Sequence, residues 1–343
     1  VIKTDDSELR HVVVDEPLSE YEVHPAQTYD ALRSHARRSV EQLLAAASEF
    51  VAVSCPGCAS GGRSAAFDKH GFHYWRCQEC WTLYVSPRPT PNQMRWYFRE
   101  SPYAEYRRAP EFAARSSERA LELAALRADW VSDIRMTEGA PRGGALVDVL
   151  PRSPHLLQAL RDRALGPLLA FKPQVEISAE SLVTSVEQAS ALPSQCAGVC
   201  MFDVIEGVSD TDILMSELAQ RLDRGAVLAL TTRSGSGLDV QTLHADCPTV
   251  FPADHLNLLS VEGCRALALR HGFRVLELST PGQLDVQVLE RALGTSGEGS
   301  DASFLHYFFQ NRGAEAKARL QRFLQQTQTS SHVRMVAQRV PRP

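Results

Sequence analysis

Gly225-Ala-Val-Leu-Ala-Leu-Thr-Thr232 is a continuous apolar run of strand length. A run so short, with no polar alternation, suits a strand covered on both faces. Upstream, Thr211 to Leu222 has helical spacing and Cys196 to Phe202 is another apolar run. Further back stand the strand-like Ala145-Leu-Val-Asp-Val149, a helical stretch from Pro154 to Leu165, and the apolar run Pro167 to Phe171. Downstream, Val261 to His271 reads as a helix and Arg274 to Leu278 as a strand. Strands alternating with helices predict an α/β fold with a doubly wound, mostly parallel sheet. Ligands of such sheets bind outside the carboxyl ends of the strands.

Before this alternation lies a different pattern. Ala26 to Phe50 is helical, with Leu32, Ala36, Val40, Leu43 and Leu44 on one face. Then come Cys55-Pro-Gly-Cys58 and Cys77-Gln-Glu-Cys80. Paired Cys-x2-Cys turns let four thiolates converge on one ion, so the spacing predicts zinc. Four thiolates close the tetrahedron and leave no position for water, so the site is expected to be structural. Disulfides or plain core cysteines are the alternative reading, and His70 and His73 are spare candidate ligands. Phe72 to Cys77 and Trp81 to Val85 have the aromatic and β-branched content of ribbon strands. The stiff Ser86-Pro-Arg-Pro-Thr-Pro91 ends the ribbon, and Glu111 to Met136 reads as one long helix. The expected divisions are a helical segment (1–50), a zinc ribbon (51–92), a helical linker (93–140), the α/β domain (141–290) and a helix-and-strand extension (291–343).

Composition sets outer bounds. The 343 residues are 44% hydrophobic and 22% charged, with a net charge of −5, as in ordinary globular proteins. That balance argues against a nucleic-acid binder relying on bulk positive charge. No apolar stretch approaches the ~20 residues needed to cross a bilayer. The polar opening, Val1 to Arg10, predicts no signal peptide, and a cytoplasmic location is the expectation. Cys196, Cys200, Cys247 and Cys264 are scattered and read as small buried residues.

Several segments resemble class I S-adenosylmethionine-dependent methyltransferases. Gly225 to Thr232 resembles the strand after their "kpGG" turn, Phe202-Asp-Val-Ile-Glu206 their "fDvlEHv" segment, and Arg270-His-Gly-Phe-Arg-Val-Leu-Glu277 their "aGFevve" strand. The cysteine pairs with Pro87-Arg-Pro-Thr-Pro91 resemble the amino-terminal zinc module of a subset that includes sugar C-methyltransferases. Ser279-Thr-Pro-Gly-Gln-Leu-Asp-Val286, Leu320 to Leu324 and Ser330-Ser-His332 are similar to that subset too. The resemblance runs from about residue 50 to the end. It implies a Rossmann-like methyltransferase sheet and a small-molecule acceptor, a sugar or natural-product intermediate.

The cofactor positions depart from that pattern. In the family a strand ending in an acidic residue is followed by Gly-x-Gly-x-Gly, which brings backbone against the cofactor. Here Asp148 is present, but Leu150, Arg152 and Pro154 hold the glycine positions. Where the family has an acid for the ribose diol, this chain has Lys172, which cannot accept a hydrogen bond. Glu206 is followed by Gly207 where the resemblance implies a histidine base. The helix after Lys172 is expected to be shortened. Together these imply that S-adenosylmethionine use is weakened or lost.

Other residues remain as candidates. In Phe251-Pro-Ala-Asp-His-Leu-Asn257, Asp254 could orient His255 for acid–base work, against a purely structural role. Thr231 to Gly237, with Arg233, could hold an anion or be a plain loop. Tyr97, Tyr103 and Tyr106 either contact substrate or pack an interface, and His155 falls in the altered turn. Ser330-Ser-His332 lacks a nucleophile elbow. The expectation is a methyltransferase-like protein repurposed for another reaction or inactive, with Glu206, Asp254 and His255 as chemistry and Arg233, Tyr103 and Tyr106 as substrate contacts. A working methyltransferase and a non-catalytic partner of an active paralogue are the alternatives, and a protein partner or a homodimer is a separate expectation.

Overall fold

The computed structural model describes residues 9–10, 12–14, 26–139, 141, 143–174, 183–294 and 303–340. The helix shortening expected after Lys172 falls largely on residues outside this set.

The central sheet has seven strands: β4 (Ala145–Val149), β5 (Leu168–Phe171), β6 (Thr184–Val186), β7 (Cys196–Phe202), β8 (Leu222–Arg233), β10 (Phe273–Ser279) and β11 (His332–Arg339). Their order is β10-β11-β8-β7-β4-β5-β6. Strands β4 to β8 pair in parallel, while β11 is antiparallel to both β8 and β10. Every residue of β4, β5 and β7 is buried, as parallel strands under two helical layers require. One layer holds α4 (Pro110–Thr137) and α5 (His155–Asp162), packed through Val131, Ile134, Leu157 and Leu160. The other holds α6 (Thr211–Ala219) and α8 (Val261–Arg270), packed through Leu214, Leu218, Cys264 and Leu267. The α/β, doubly wound expectation matches this sheet. The four scattered cysteines are buried in it or beside it.

Two placements differ from the sequence expectation. The final strand, expected in a C-terminal extension, lies inside the central sheet between β8 and β10. The second concerns β9 (Asn257–Leu258), which leaves the α/β segment to join the ribbon. It pairs with β3 (Leu83–Val85) and completes a small sheet with β1 (Arg63–Lys69) and β2 (Phe72–Cys77). Neither pairing has a local signature, because each joins residues distant in the chain.

Helices α1 (Ala26–Ala45), α2 (Pro91–Arg99) and α3 (Pro102–Arg108) surround the ribbon. Thr90 starts α2 with a capping box to Gln93 and Pro91 in the first turn. Among the described residues, no helix is long and apolar enough to cross a membrane.

The cysteine quartet converges. The Sγ atoms of Cys55, Cys58, Cys77 and Cys80 all lie within 4.8 Å of one another. Cys55–Cys80 and Cys58–Cys77 are each 3.5 Å apart, near the ~3.8 Å edge of a tetrahedral zinc–thiolate site. The donor set fits zinc, with Cys55, Cys77 and Cys80 buried. His73 instead meets Asp68 at 2.7 Å, and His70 is not in the quartet.

The knuckle is seated on α8. Ser260 caps that helix through Gly263 N at 2.8 Å and also donates to the Cys80 carbonyl. Arg270 Nε donates to the Gly57 carbonyl at 3.0 Å. A Cβ on Gly263 would fall 2.1 Å from Thr82 Oγ1, and one on Gly57 2.8 Å from the Gly263 backbone. The seat therefore needs glycine on both sides.

We expect one zinc per chain by elemental analysis. Chelation should lower the melting temperature by roughly 10 °C or more, because the metal supplies stability that so small a ribbon core cannot. Recovery of metal-free protein with unchanged melting would contradict a structural ion.

Candidate functional site

Three adjacent parallel strands end alike. β4 runs into Leu150, β5 into Lys172 and β7 into Asp203, with φ of 52°, 50° and 54°. Each of these amides donates to the strand beside it: Leu150 N to Phe171 O at 2.8 Å, Lys172 N to Val186 O at 2.7 Å and Asp203 N to Thr231 O at 2.9 Å. The left-handed turn thus closes each strand end while the chain leaves the sheet. A residue with a Cβ held there costs about 1–2 kcal/mol. At Leu150 the backbone keeps the shape that favours glycine while the side chain packs against the core.

The residues that follow Leu150 in this turn make contacts of their own. Arg152 Nε donates to Gln174 Oε1 at 3.2 Å, and its guanidinium lies 4.7 Å from the Phe98 ring centre. Pro154 is the exposed N-cap of α5, with no side-chain cap, and His155 is its first residue. Asp148 is buried within β4, and burial pushes its carboxyl up to about 8 despite Arg127. The raised value favours the neutral form, which can donate as well as accept a hydrogen bond. Lys172 forms an ion pair with Glu217 of α6 at 2.8 Å.

Beside this turn lies a cavity of about 420 Å³. Phe98 and Arg99 of α2, Leu150, Lys172, Glu187 and Gly207 are among its lining residues. It occupies the crevice at the strand carboxyl ends, where the doubly wound rule places ligands. Arg99 pairs with Glu187 at 2.9 Å, while Arg95, also in the lining, donates to the neutral Asn92 at 2.7 Å.

A buried polar group adjoins the cavity. Glu206 lies on the turn after β7, and its Oε1 accepts from Arg233 N at 2.7 Å. Burial, then the charge of Asp203, pushes its carboxyl up to about 7. Burial also raises Asp254, against Arg152, Arg107 and a hydrogen bond with Tyr103. The side chains of Tyr97 and Tyr103 stack with ring centres 4.8 Å apart. Four buried atoms here have no protein partner: Tyr97 Oη, Arg152 Nη2, Glu206 Oε2 and Asp254 Oδ1. Buried polar atoms left open in this way suit a polar ligand or water.

Several sequence expectations change. Asp254 does not orient His255; it faces Tyr103, Arg107 and Arg152. The His255 Nδ1 lies 3.0 Å from both the amide and the carbonyl of Phe251. Burial, with Arg233 nearby, drives this imidazole down to about 3, so it stays neutral. Arg233 turns its guanidinium to Asp239. Its loop spends amides internally, Ser234 N on Ser331 O at 2.8 Å and Gly235 N on Leu259 O at 2.9 Å, so it is not an open anion cradle. Tyr106 stacks on His35 of α1 at 4.5 Å, which places it with the helical layer and not the buried polar group. Ser330 donates to Asp285 at 2.6 Å and is no nucleophile beside His332.

Gly207 has a structural explanation. A Cβ there would fall 2.7 Å from the Phe98 ring and 3.5 Å from Arg152 Nη2. Phe98 holds the space into which a residue-207 side chain would project. Phe98, Arg107 and Gln174 are site residues that sequence reasoning missed, since nothing local marks them.

No protein-family model matches the chain, and no curated protein matches it. Similar solved structures include geranyl diphosphate C-methyltransferase from Streptomyces coelicolor, in complex with Mg2+, geranyl diphosphate and S-adenosyl-L-homocysteine. It is 12% identical, covers 68% of this chain and 84% of its own, and has a TM-score of 0.43. A SAM-dependent methyltransferase from Archaeoglobus fulgidus is 13% identical, with 67% and 100% covered and a TM-score of 0.41. The cyclase SpnF is 16% identical, with 68% and 84% covered and a TM-score of 0.38.

Two outcomes follow from the site. Gly207→Ala should destabilise the fold by about 1–3 kcal/mol through overpacking, and Phe98→Leu should recover part of that loss in chemical denaturation. The second concerns pH. Glu206 and Asp148 stay protonated to about 7 and about 8 in the fold, whereas unfolded carboxyls ionise near ~4. Their contribution is complete below pH ~4 and is lost as pH rises through the folded values. Asp203 and Asp212, held near about 2, act the other way and lose stability only as pH falls below ~4. Glu206→Gln should therefore flatten the decline in urea midpoint between its unfolded value of pH ~4 and its folded value of about 7. An unchanged slope would mean that Glu206 ionises normally.

Proposed function

We propose that this chain is a small-molecule enzyme on a methyltransferase-like sheet, acting by proton transfer and not by methyl donation from S-adenosylmethionine. The carrying observation is the turn after β4, where Arg152 is fixed between Gln174 and Phe98. In the resembled family that turn offers bare backbone to the cofactor. Here its residues do not fit the group: Leu150 and Arg152 add bulk, and Arg152 sets a cation where a sulfonium would approach. Lys172, tied to Glu217, offers no acceptor to a ribose diol.

The chain's own residues support acid–base work. A carboxyl held at about 7 is half ionised near neutral pH, which suits a general base. Glu206 has one oxygen fixed by Arg233 N and the other open. Asp254, raised by burial, is suited to donate a proton, and the Tyr97 hydroxyl is open beside them. Arg152 lies within electrostatic reach of both carboxyls and can hold a developing oxyanion. A hydroxylated carbonyl compound, such as a sugar or natural-product intermediate, has both the acidic C–H and the oxygen this set can serve.

The cavity itself favours a second reading, a working methyltransferase. It adjoins Leu150 and Lys172 and has room for a nucleoside-sized ligand. Calorimetric titration with S-adenosylmethionine separates the two: no heat is expected, and micromolar binding would overturn the first. For the chemistry itself, keto sugars incubated with the protein in D2O should gain deuterium beside the carbonyl. Glu206→Gln should slow that exchange by about 100-fold or more.

A further inference from the structure

The Pro87-Arg-Pro-Thr-Pro91 segment carries a charged second residue, Arg88, that takes no part in lining the crevice. Arg88 is 1% exposed, among the largest fully buried side chains. Its Nε donates to Val85 O at 2.9 Å. Its Nη1 donates to Asn257 Oδ1 at 2.7 Å and to Ser209 O at 3.3 Å. Burial lowers this guanidinium, but only to about 10, so a cation is held in the interior.

A buried guanidinium is an expensive way to join two segments, since removing such an ion from water costs several kcal/mol. Well-packed apolar residues could do so at lower cost. What the guanidinium adds is direction. Asn257, oriented by Arg88, donates through Nδ2 to Ile205 O at 2.9 Å and to Val208 O at 2.7 Å. Those two carbonyls bracket Glu206 and Gly207. Ser209 Oγ then donates to Pro89 O at 2.6 Å, so the same connector grips the loop from its far end. Within the loop, Gly207 N reaches Val204 O and Val208 N reaches Ile205 O, both at 3.2 Å.

We propose that Arg88 is a positioning residue: through Asn257 and Ser209, the ribbon connector fixes the 205–209 turn and so the placement of the Glu206 carboxyl. The inference rests on the acid–base reading of Glu206 for its consequence, but the brace can be measured without it. Besides its own amide, which lies on the braced turn, the groups facing Glu206 are Asp203, Arg152, Cys264 and the Arg233 amide. None belongs to the brace, so a change at Arg88 reaches Glu206 through the loop.

The test uses the full chain with its zinc bound. Amide hydrogen exchange at Gly207 and Val208 is measured beside 13C titration of the Glu206 carboxyl, assigned by loss in Glu206→Gln. In Arg88→Met and Asn257→Leu, both amides should exchange at least tenfold faster relative to β7 amides. The Glu206 midpoint should fall by a unit or more as water reaches it. Arg88→Lys should restore part of both effects. If Arg88→Met fails to fold, Asn257→Leu and the milder Ser209→Ala read the same amides. Folded variants with unchanged exchange overturn the proposal. Faster exchange with an unmoved, raised midpoint also overturns it, because the brace would then be only structural. A wild-type midpoint in the ordinary glutamate range, with amides released in the variants, supports the brace and overturns the acid–base reading.

Discussion

Asn257 sits where the two sheets meet, and much of the architecture depends on it. Its backbone, paired with Tyr84, belongs to the ribbon sheet, while its side chain spans two carbonyls of the turn after β7. It also receives the buried Arg88. Asn257 and Arg88 are themselves buried, and Arg88 Nη2 already lacks a partner, so each further donor left unmet there would cost about 1–3 kcal/mol. Those penalties let a two-residue strand fix the ribbon relative to the crevice. The cysteine knuckle, seated on α8 through Ser260 and Gly263, secures the other side of the same joint. A closed thiolate site has no chemistry of its own; here its part is to hold a platform.

The turn at the end of β4 takes its shape from the sheet. The left-handed turn at Leu150 persists because its amide closes the β4 end on Phe171, which is a requirement of the sheet and not of any ligand. In that left-handed conformation the Leu150 side chain is carried at the cost of modest strain. Arg152 and Phe98 then fill space together, and Gly207 is small because Phe98 is large. Arg152 after β4 and glycine after Glu206 are thus linked through one aromatic ring.

The carboxyls sort by environment. Asp203, although opposed by burial, is held down at about 2 by Arg127, His332 and Thr231. Three residues on, Glu206 is raised to about 7 by burial and by that same Asp203. One acid kept ionised raises the affinity of its neighbour for a proton. Such divergence marks acid–base sites elsewhere, and here it coincides with open oxygens at Glu206 and Asp254.

The sequence by itself determined the alternating strands and helices, the long helix of Pro110–Thr137 and the convergence of four cysteines. Those are set by periodicity and short spacing, which a single segment carries whole. It also marked Glu206 and Asp254 by chemistry. Only the tertiary structure decided that β11 enters the sheet and that β9 leaves it for the ribbon. It alone turned Asp254 from His255 towards Tyr103, stacked Tyr106 on His35, and set Arg88 on Asn257. Each of these joins residues far apart in the chain, and their partners are fixed by burial and by the need to satisfy buried polar atoms, which no local pattern encodes.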